Sequence, residues 1–450
     1  MEYDPFRTAN NACGLAPHTA AETEVIMNTY TLGYGSQSVD ITINGANSVE
    51  VLNEKPLDEI TDLHATFLRA VETDMVASPA LRELIAPTDL VTIVVSDITR
   101  FWMRQDLVTK ELVNYLHDII GVPYDNIAAV IALGTHRSAS TEEHRRLVSE
   151  EIYEKIKVYN HDCLADDLVY LGTTSFGTEV RVNSLAVGRK VILIGGTVHH
   201  LMSGFGGGRK SVLPGISAKS TILQNHLHCL SPDESCSNPL IGMAKLENNP
   251  VHEDMTEAAA MVNPAFGINI VSNSKGKQCR LICGNWKLAW EESCRIVHEH
   301  FGVPIEKKAD IVIASCGGFP KDINLYQGVK SLLNAGQAVK DGGTILFLAE
   351  CREGGGSPDF FGWIQSVITD TLDADLRANF SIGGYIFYAA CEVIRRCHVR
   401  MLTEIPADTI RDMKIEAYRD IEELLKGVDF EGKDVYVMPY GGYTMPYLRK

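Results

Sequence analysis

The stretch KVILIGGTVHHLMSGFGGGRKSVLPGISAKSTILQNH, residues 190–226, holds the parts from which an α/β protein is built. Its first seven residues form a near-continuous apolar run, the mark of a strand covered on both faces, as in a parallel sheet. A glycine-rich loop follows, and the segment closes in a helical pattern that ends on His226. Outward from it, similar apolar runs recur as LVTIVVSD (90–97), AAVIALG (128–134), ADIVIAS (309–315), TILFLAE (344–350) and DVYVMPY (434–440). Helical patterns such as QDLVTKELVNYLHDII and TEEHRRLVSEEIYEKI lie between them. This alternation predicts an α/β fold with largely parallel sheets.

The chain has 450 residues, more than the roughly 250 to 300 that one hydrophobic core organises, so two α/β domains are expected with an active-site cleft between them. The boundary falls near residue 295. There, in CRLICGNWKLAWEESCRIVHEHFGVPIEKKADIVIAS, an amphipathic helix runs into Gly and Pro near residue 302 before a new strand begins. The reading is therefore a first domain over 1–295, a second over 296–435, and a closing stretch, 436–450, that returns to the first.

A composition of 45% hydrophobic and 22% charged residues is that of a folded protein. The net charge of −17 argues against nucleic acid or an anionic membrane surface as a partner. No apolar run reaches the ~18 to 20 residues of a membrane span. The eleven cysteines are odd in number and scattered, and the opening MEYDPFRTANNACG has no leader pattern. Reduced thiols in a cytoplasmic protein are expected. Cys279 and Cys283 have no second pair at zinc-ligand spacing.

Polar clusters stand just past four of the strands, where doubly wound sheets bind their ligands. The first reads Ser96, Asp97, Ile98, Thr99, Arg100; Asp97 and Thr99 also suit a helix cap, whereas Arg100 can clamp a carboxylate or phosphate. The second reads Gly134, Thr135, His136, Arg137. The third lies within residues 190–226: His199, His200, then Gly204, Gly206, Gly207 and Gly208, Arg209 and Lys210, and finally His226. A phosphate-binding P-loop would need Gly directly before Lys, and Arg209 intervenes. The fourth runs from Cys316 through Gly317, Gly318, Lys321 and Asp322 to Tyr326, Gln327 and Lys330, with Gln327 and Lys330 on one helical face.

With D-x-T-R at 97–100, G-T-H-R at 134–137, a His before G-G-R-K-S and P-G, and D-x-N-L-Y-Q-x-x-K at 322–330, the sequence resembles the nickel-pincer lactate racemase family. The resemblance runs from about residue 25 to the C-terminal MPYGGYTMPYL. It implies a 2-hydroxy acid racemase or epimerase in which the first domain binds a nickel-pincer nucleotide: a pyridinium-3-thioamide-5-thiocarboxylic acid mononucleotide with nickel. By that resemblance Lys210 tethers the cofactor, His226 is the nickel ligand, and Asp97, Thr99, Gly206, Gly207 and Gly208 lie beside it. His136 and His200 are the implied acid/base pair, with proton transfer coupled to hydride transfer. Arg100 and Lys330 bind the substrate carboxylate, and Gln327 and Tyr326 orient it. Maturation proteins that build and install the cofactor are implied partners.

After D-x-T-R, lactate-specific members usually continue with Pro, whereas this chain continues Phe101, Trp102, Met103, Arg104, Gln105. A different or larger substrate is expected: a sugar acid, a dicarboxylate or an aryl hydroxy acid, with Arg104 and Gln105 either bonding its extra groups or facing solvent on a helix. A nicotinamide-dependent dehydrogenase is the alternative enzyme, but no G-x-G-x-x-G follows an early strand. A non-catalytic carrier of the nickel cofactor would need Lys210 and His226 but not both His136 and His200.

Overall fold

A computed structural model describes residues 28–356 and 360–449. The leader expectation, which rests on the opening residues, and the first 27 residues of the domain drawn over 1–295 lie outside that range. Residues 357–359 of the expected second domain and Lys450 of the closing stretch lie outside it too.

The first sheet has six strands in the order Gln278–Gly284, Phe266–Ser272, Lys190–Gly196, Val91–Ser96, Ile127–Ala132, Lys157–Asn160. All neighbours are parallel except the first pair. In chain order this is 3-2-1-4-5-6, a doubly wound sheet whose order reverses between Val91–Ser96 and Lys190–Gly196. Every residue of Val91–Ser96 and of Phe266–Ser272 is buried, because helices cover both faces. Each such Val or Ile contributes about 1.5 to 3 kcal/mol relative to an exposed one.

The helix read from QDLVTKELVNYLHDII is α-helical over Gln105–Asn114, passes into a π turn over Tyr115–Ile120, and stops at Gly121. The one read from TEEHRRLVSEEIYEKI is two helices, Thr141–Val148 and Glu150–Tyr153. Ser149, at φ 76°, breaks it and caps the second piece with its hydroxyl. The helix at the expected domain boundary, Leu288–Phe301, ends at Gly302.

The second sheet also has six strands, all parallel: Ile415–Tyr418, His398–Leu402, Val339–Leu348, Ala309–Ser315, Asp434–Met438, Ser48–Val51. The last strand corrects the domain assignment. Residues 28–51 fall within the stretch read as first domain, yet Ser48–Val51 extends the second sheet. The hairpin of Asn28–Tyr34 and Gln37–Ile43 buries Leu32, Ile41 and Ile43 against Ile311, Ile313, Val435 and Val437. An alternating strand pattern declares which face is apolar but not which sheet it joins. Of the closing stretch, residues 436–438 stay in the second sheet, while Met445–Leu448 pairs with Gly302–Ile305 at the junction. Its Tyr447 ring lies 4.9 Å from His298 of the Leu288–Phe301 helix.

The domains are joined by apolar packing, since one cluster of buried residues runs from Val191, Leu193 and Met255 to Phe347, Tyr385 and Phe387. Ser237 adds a bond to Glu392 across that interface at 2.6 Å. No described helix is long and apolar enough to cross a membrane. The ten described cysteines are all free.

Candidate active site

The order reversal of the first sheet places the loops after Val91–Ser96 and Lys190–Gly196 side by side, and the loop after Ile127–Ala132 beside them. Asp97 is buried and caps the 3-10 helix Ile98–Met103, accepting from the Thr99 amide at 3.0 Å and from its hydroxyl at 2.5 Å. Arg100 reaches the same oxygen at 3.4 Å. The other carboxylate oxygen meets Nδ1 of His136. Burial would raise the Asp97 carboxyl, but His136, Arg100 and Thr99 outweigh it and hold the group at about 2. With Nδ1–H directed at the carboxylate, neutral His136 carries its lone pair on Nε2. Asp97 and Thr99, expected beside a cofactor, are thus engaged with His136 and Arg100.

His200 has the opposite proton arrangement. Its Nδ1 accepts from the amides of Met202 and Ser203 at 3.2 and 3.3 Å, so the ring proton is on Nε2. Nε2 stands 2.7 Å from Nζ of Lys210, which must then accept. A neutral amine is what the surroundings dictate, because burial, Arg100 and Arg209 push Lys210 well below the ordinary lysine range. Burial first, and then the cations Lys330 and Arg100 nearby, likewise hold His200 well below its usual value.

The glycine loop keeps Lys210 in place. Gly207 (φ +73°) passes so close to the Gly196 carbonyl that a Cβ would stand 2.9 Å away, and a Cβ on Gly208 (φ +52°) would come 2.4 Å from Trp290. Trp290 donates its indole N–H to the Gly206 carbonyl at 2.8 Å. Arg209, 1% exposed, stacks 3.8 Å above the Trp290 ring and donates to the Phe205 and Ser203 carbonyls at 2.9 and 2.6 Å. Among the described residues no carboxylate pairs with it, and burial lowers it to about 9. Arg209 and Trp290 therefore hold the loop's shape; the sequence placed Arg209 in the third polar cluster without a role of its own and gave none to Trp290.

His226 lies on the helix Lys219–Leu227, 2% exposed, with Nδ1 donating to the Ile222 carbonyl at 2.9 Å. That bond fixes the tautomer and leaves Nε2 as an acceptor, the arrangement in which histidine ligates a metal. Among the described residues no three His, Cys, Asp or Glu side chains stand together as a metal site. A metal at His226 would have to bring its other donors, and Cys279 and Cys283 form no such group.

From the second domain, the loop after Ala309–Ser315 and the helix Leu325–Ala338 face this cluster. Lys330 donates to Gln327 Oε1 at 2.9 Å. Although solvent reaches its side chain, enclosure by the cleft walls, Arg100 and Lys321 lowers Lys330 to about 8. Tyr326 sets its ring edge against Phe360 at 6.3 Å. Asp322, fully buried, accepts from the Gly35 amide at 2.6 Å and so ties the N-terminal hairpin to this loop.

Arg104 and Gln105 do not face the cleft as free groups. Arg104 is held by Asp106 at 2.9 and 2.8 Å, and Gln105, 0% exposed, clamps the Ser96 backbone at 3.0 and 2.6 Å. Both complete the local fold, so neither is free to bond the extra groups of a substrate.

Comparison with known proteins bears on this arrangement. The lactate racemase N-terminal domain model matches residues 34–237 and the C-terminal domain model residues 305–441, together more than half of the chain. Lactate racemase of Thermoanaerobacterium thermosaccharolyticum is 37% identical over 53% of this chain, and that of Lactiplantibacillus plantarum 32% identical over 64%. The aligned stretches span 55% and 66% of those relatives' own lengths. The lactate racemase apoprotein structure from T. thermosaccharolyticum superimposes with a TM-score of 0.82 at 27% identity, covering 94% of this chain and all of that one. A crystal structure from Thermotoga maritima, 18% identical with a TM-score of 0.56, covers 80% of this chain and 93% of its own, and shares the fold.

Proposed function

The chain belongs to the lactate racemase family, and on that premise we propose that it is an isomerase inverting the α-carbon of a 2-hydroxy acid larger than lactate. The observation that carries the reading is the pair of histidines with opposite proton states at one switch point. His136, held by Asp97, offers a lone pair on Nε2; His200, held by two backbone amides, offers an N–H there. Inversion needs a base that takes the hydroxyl proton and an acid that returns one, and environments that set two groups apart supply both.

Arg100 and Lys330, from different domains, supply cations for one carboxylate and fix the α-carbon between the histidines. Trp102, which follows the Phe101 that stands where lactate-specific members have Pro, encloses the site beside Gly196; a Cβ on that glycine would lie 3.1 Å from the indole. The fit to a nickel-pincer nucleotide rests on two residues. Lys210 is an unprotonated amine able to form a thioamide, and His226 presents Nε2 to a metal that carries its other donors with it. Bound there, the group supplies a centre that accepts a hydride from the α-carbon and returns it to either face. Acylation of Lys210 also removes the lone pair to which His200 donates, and so releases Nε2–H of His200 for the substrate oxygen. Proteins that assemble and install the cofactor are partners on this reading.

The test is intact mass and nickel content of protein produced with such maturation proteins, followed by loss of chirality across a panel of hydroxy acids. A mass excess lost in Lys210→Ala, about one nickel per chain and turnover are expected. Unmodified, nickel-free protein from a host proven to make the cofactor would sink the reading.

A further inference from the structure

We propose that Lys321, flanked by Trp102 and Tyr443, forms a second anion subsite in the cleft that takes the distal carboxylate of a 2-hydroxy dicarboxylic acid. The inference rests on the reading of the reaction above and deepens it by naming the substrate class.

Of the segment that departs from the family pattern from Phe101 onward, the polar residues are spent on the fold, since Arg104 is neutralised by Asp106 and Gln105 is locked to Ser96. Trp102 is what that segment presents, and its ring end lies against Gly196, where the glycine loop begins. Across the cleft, Lys321 of the second domain places Nζ 5.9 Å from the Trp102 ring centroid and 4.9 Å from that of Tyr443. Among the described residues its ammonium has no carboxylate within salt-bridge reach and no hydrogen-bond acceptor, and two aromatic faces flank it. Aromatic faces hold a cation in place without cancelling its charge, so an arriving anion finds it oriented and partly desolvated.

Charge balance points the same way. Arg100 shares the Asp97 carboxylate, and Lys210 is a neutral amine. Lys330 and Lys321 remain, close enough that Lys321 helps to depress the Lys330 ammonium, and neither has an acidic partner. Two uncompensated cations in one cleft match a substrate of charge −2, with Lys330 joining Arg100 on the reacting carboxylate and Lys321 on the second. A lactate-sized acid would leave Lys321 unused.

The experiment compares inversion of malate (2-hydroxysuccinate) and lactate by the loaded enzyme, followed by chiral chromatography, in the natural protein and in Lys321→Met and Lys321→Arg. The natural protein is expected to favour malate in kcat/KM by about tenfold or more. Lys321→Met should lower the malate value about 30-fold, the scale of one lost charge-assisted hydrogen bond, and change lactate less than about threefold. Lys321→Arg should keep most of the preference. Parallel losses for both acids, or a natural protein that favours lactate, would overturn the subsite. So would a Lys321→Met protein with less cofactor by intact mass, since the cation would then serve the nucleotide phosphate. If the loaded protein inverts neither acid, the reaction reading falls, and calorimetric binding decides the subsite. Malate binding about tenfold tighter than lactate in the natural protein alone would uphold it, and equal binding would end it.

Discussion

Replacing Asp97 by Asn keeps the side chain's size and its acceptor for the Thr99 amide but removes the charge that holds His136. The carboxyl sits at about 2 against an ordinary 3.8. At 1.36 kcal/mol per unit, the difference stabilises the folded state by about 2.5 kcal/mol at pH 7. A depressed carboxyl contributes fully above its unfolded value and loses that contribution as pH falls through its folded one, so about half remains at pH 3. Urea unfolding should show Asp97→Asn destabilised by roughly 2 kcal/mol at pH 7 and by clearly less at pH 3. The new amide also directs N–H at Nδ1 of His136, which moves the ring proton to Nε2 and removes the lone pair a base needs. Acid/base assistance is worth about 10² to 10⁴ in rate, so kcat of the loaded enzyme should fall at least about 100-fold. A variant whose kcat stays within threefold of the natural protein, or whose stability deficit is the same at both pH values, would refute the Asp97–His136 account.

Gly208→Ala puts a methyl 2.4 Å from Trp290 at φ +52°, and should cost about 1 to 3 kcal/mol, read as a lower thermal midpoint with less cofactor retained. Gln105→Leu leaves the Ser96 amide and carbonyl buried without partners, and urea midpoints should report a loss of about 2 to 4 kcal/mol. Lys330, lowered to about 8, is a full cation below that pH and loses its proton above it. The pH profile of kcat/KM should therefore fall above about 8, while that of kcat holds to higher pH because a bound carboxylate keeps the proton on; Lys330→Arg should flatten the fall.

The Asp97–His136 and His200–Lys210 contacts show where sequence reading stops. Each of the four residues stands in a short motif past a strand, and placement at strand ends marked them as a site. Their protonation states depend on which atom each ring nitrogen meets, over separations of 39 and 10 residues. Arg104 and Gln105 show the opposite limit: polar residues beside a binding motif are drawn to the nearest unsatisfied backbone or acid, and here that is Ser96 and Asp106.

What the sequence by itself determined is local in origin. Continuous apolar runs announce strands buried on both faces, and the glycines of 204–208 announce a backbone passing close to something else. The motif order announces the family. Tertiary structure alone decided that Ser48–Val51 joins the second sheet, that Trp290 and Arg209 hold the glycine loop, and that Lys321 lies across the cleft from Trp102. Those outcomes depend on how two sheets, each with its own order reversal, meet across an interface. Periodicity records which face of an element is apolar, whereas distances between residues far apart in the chain are set only when the layers pack.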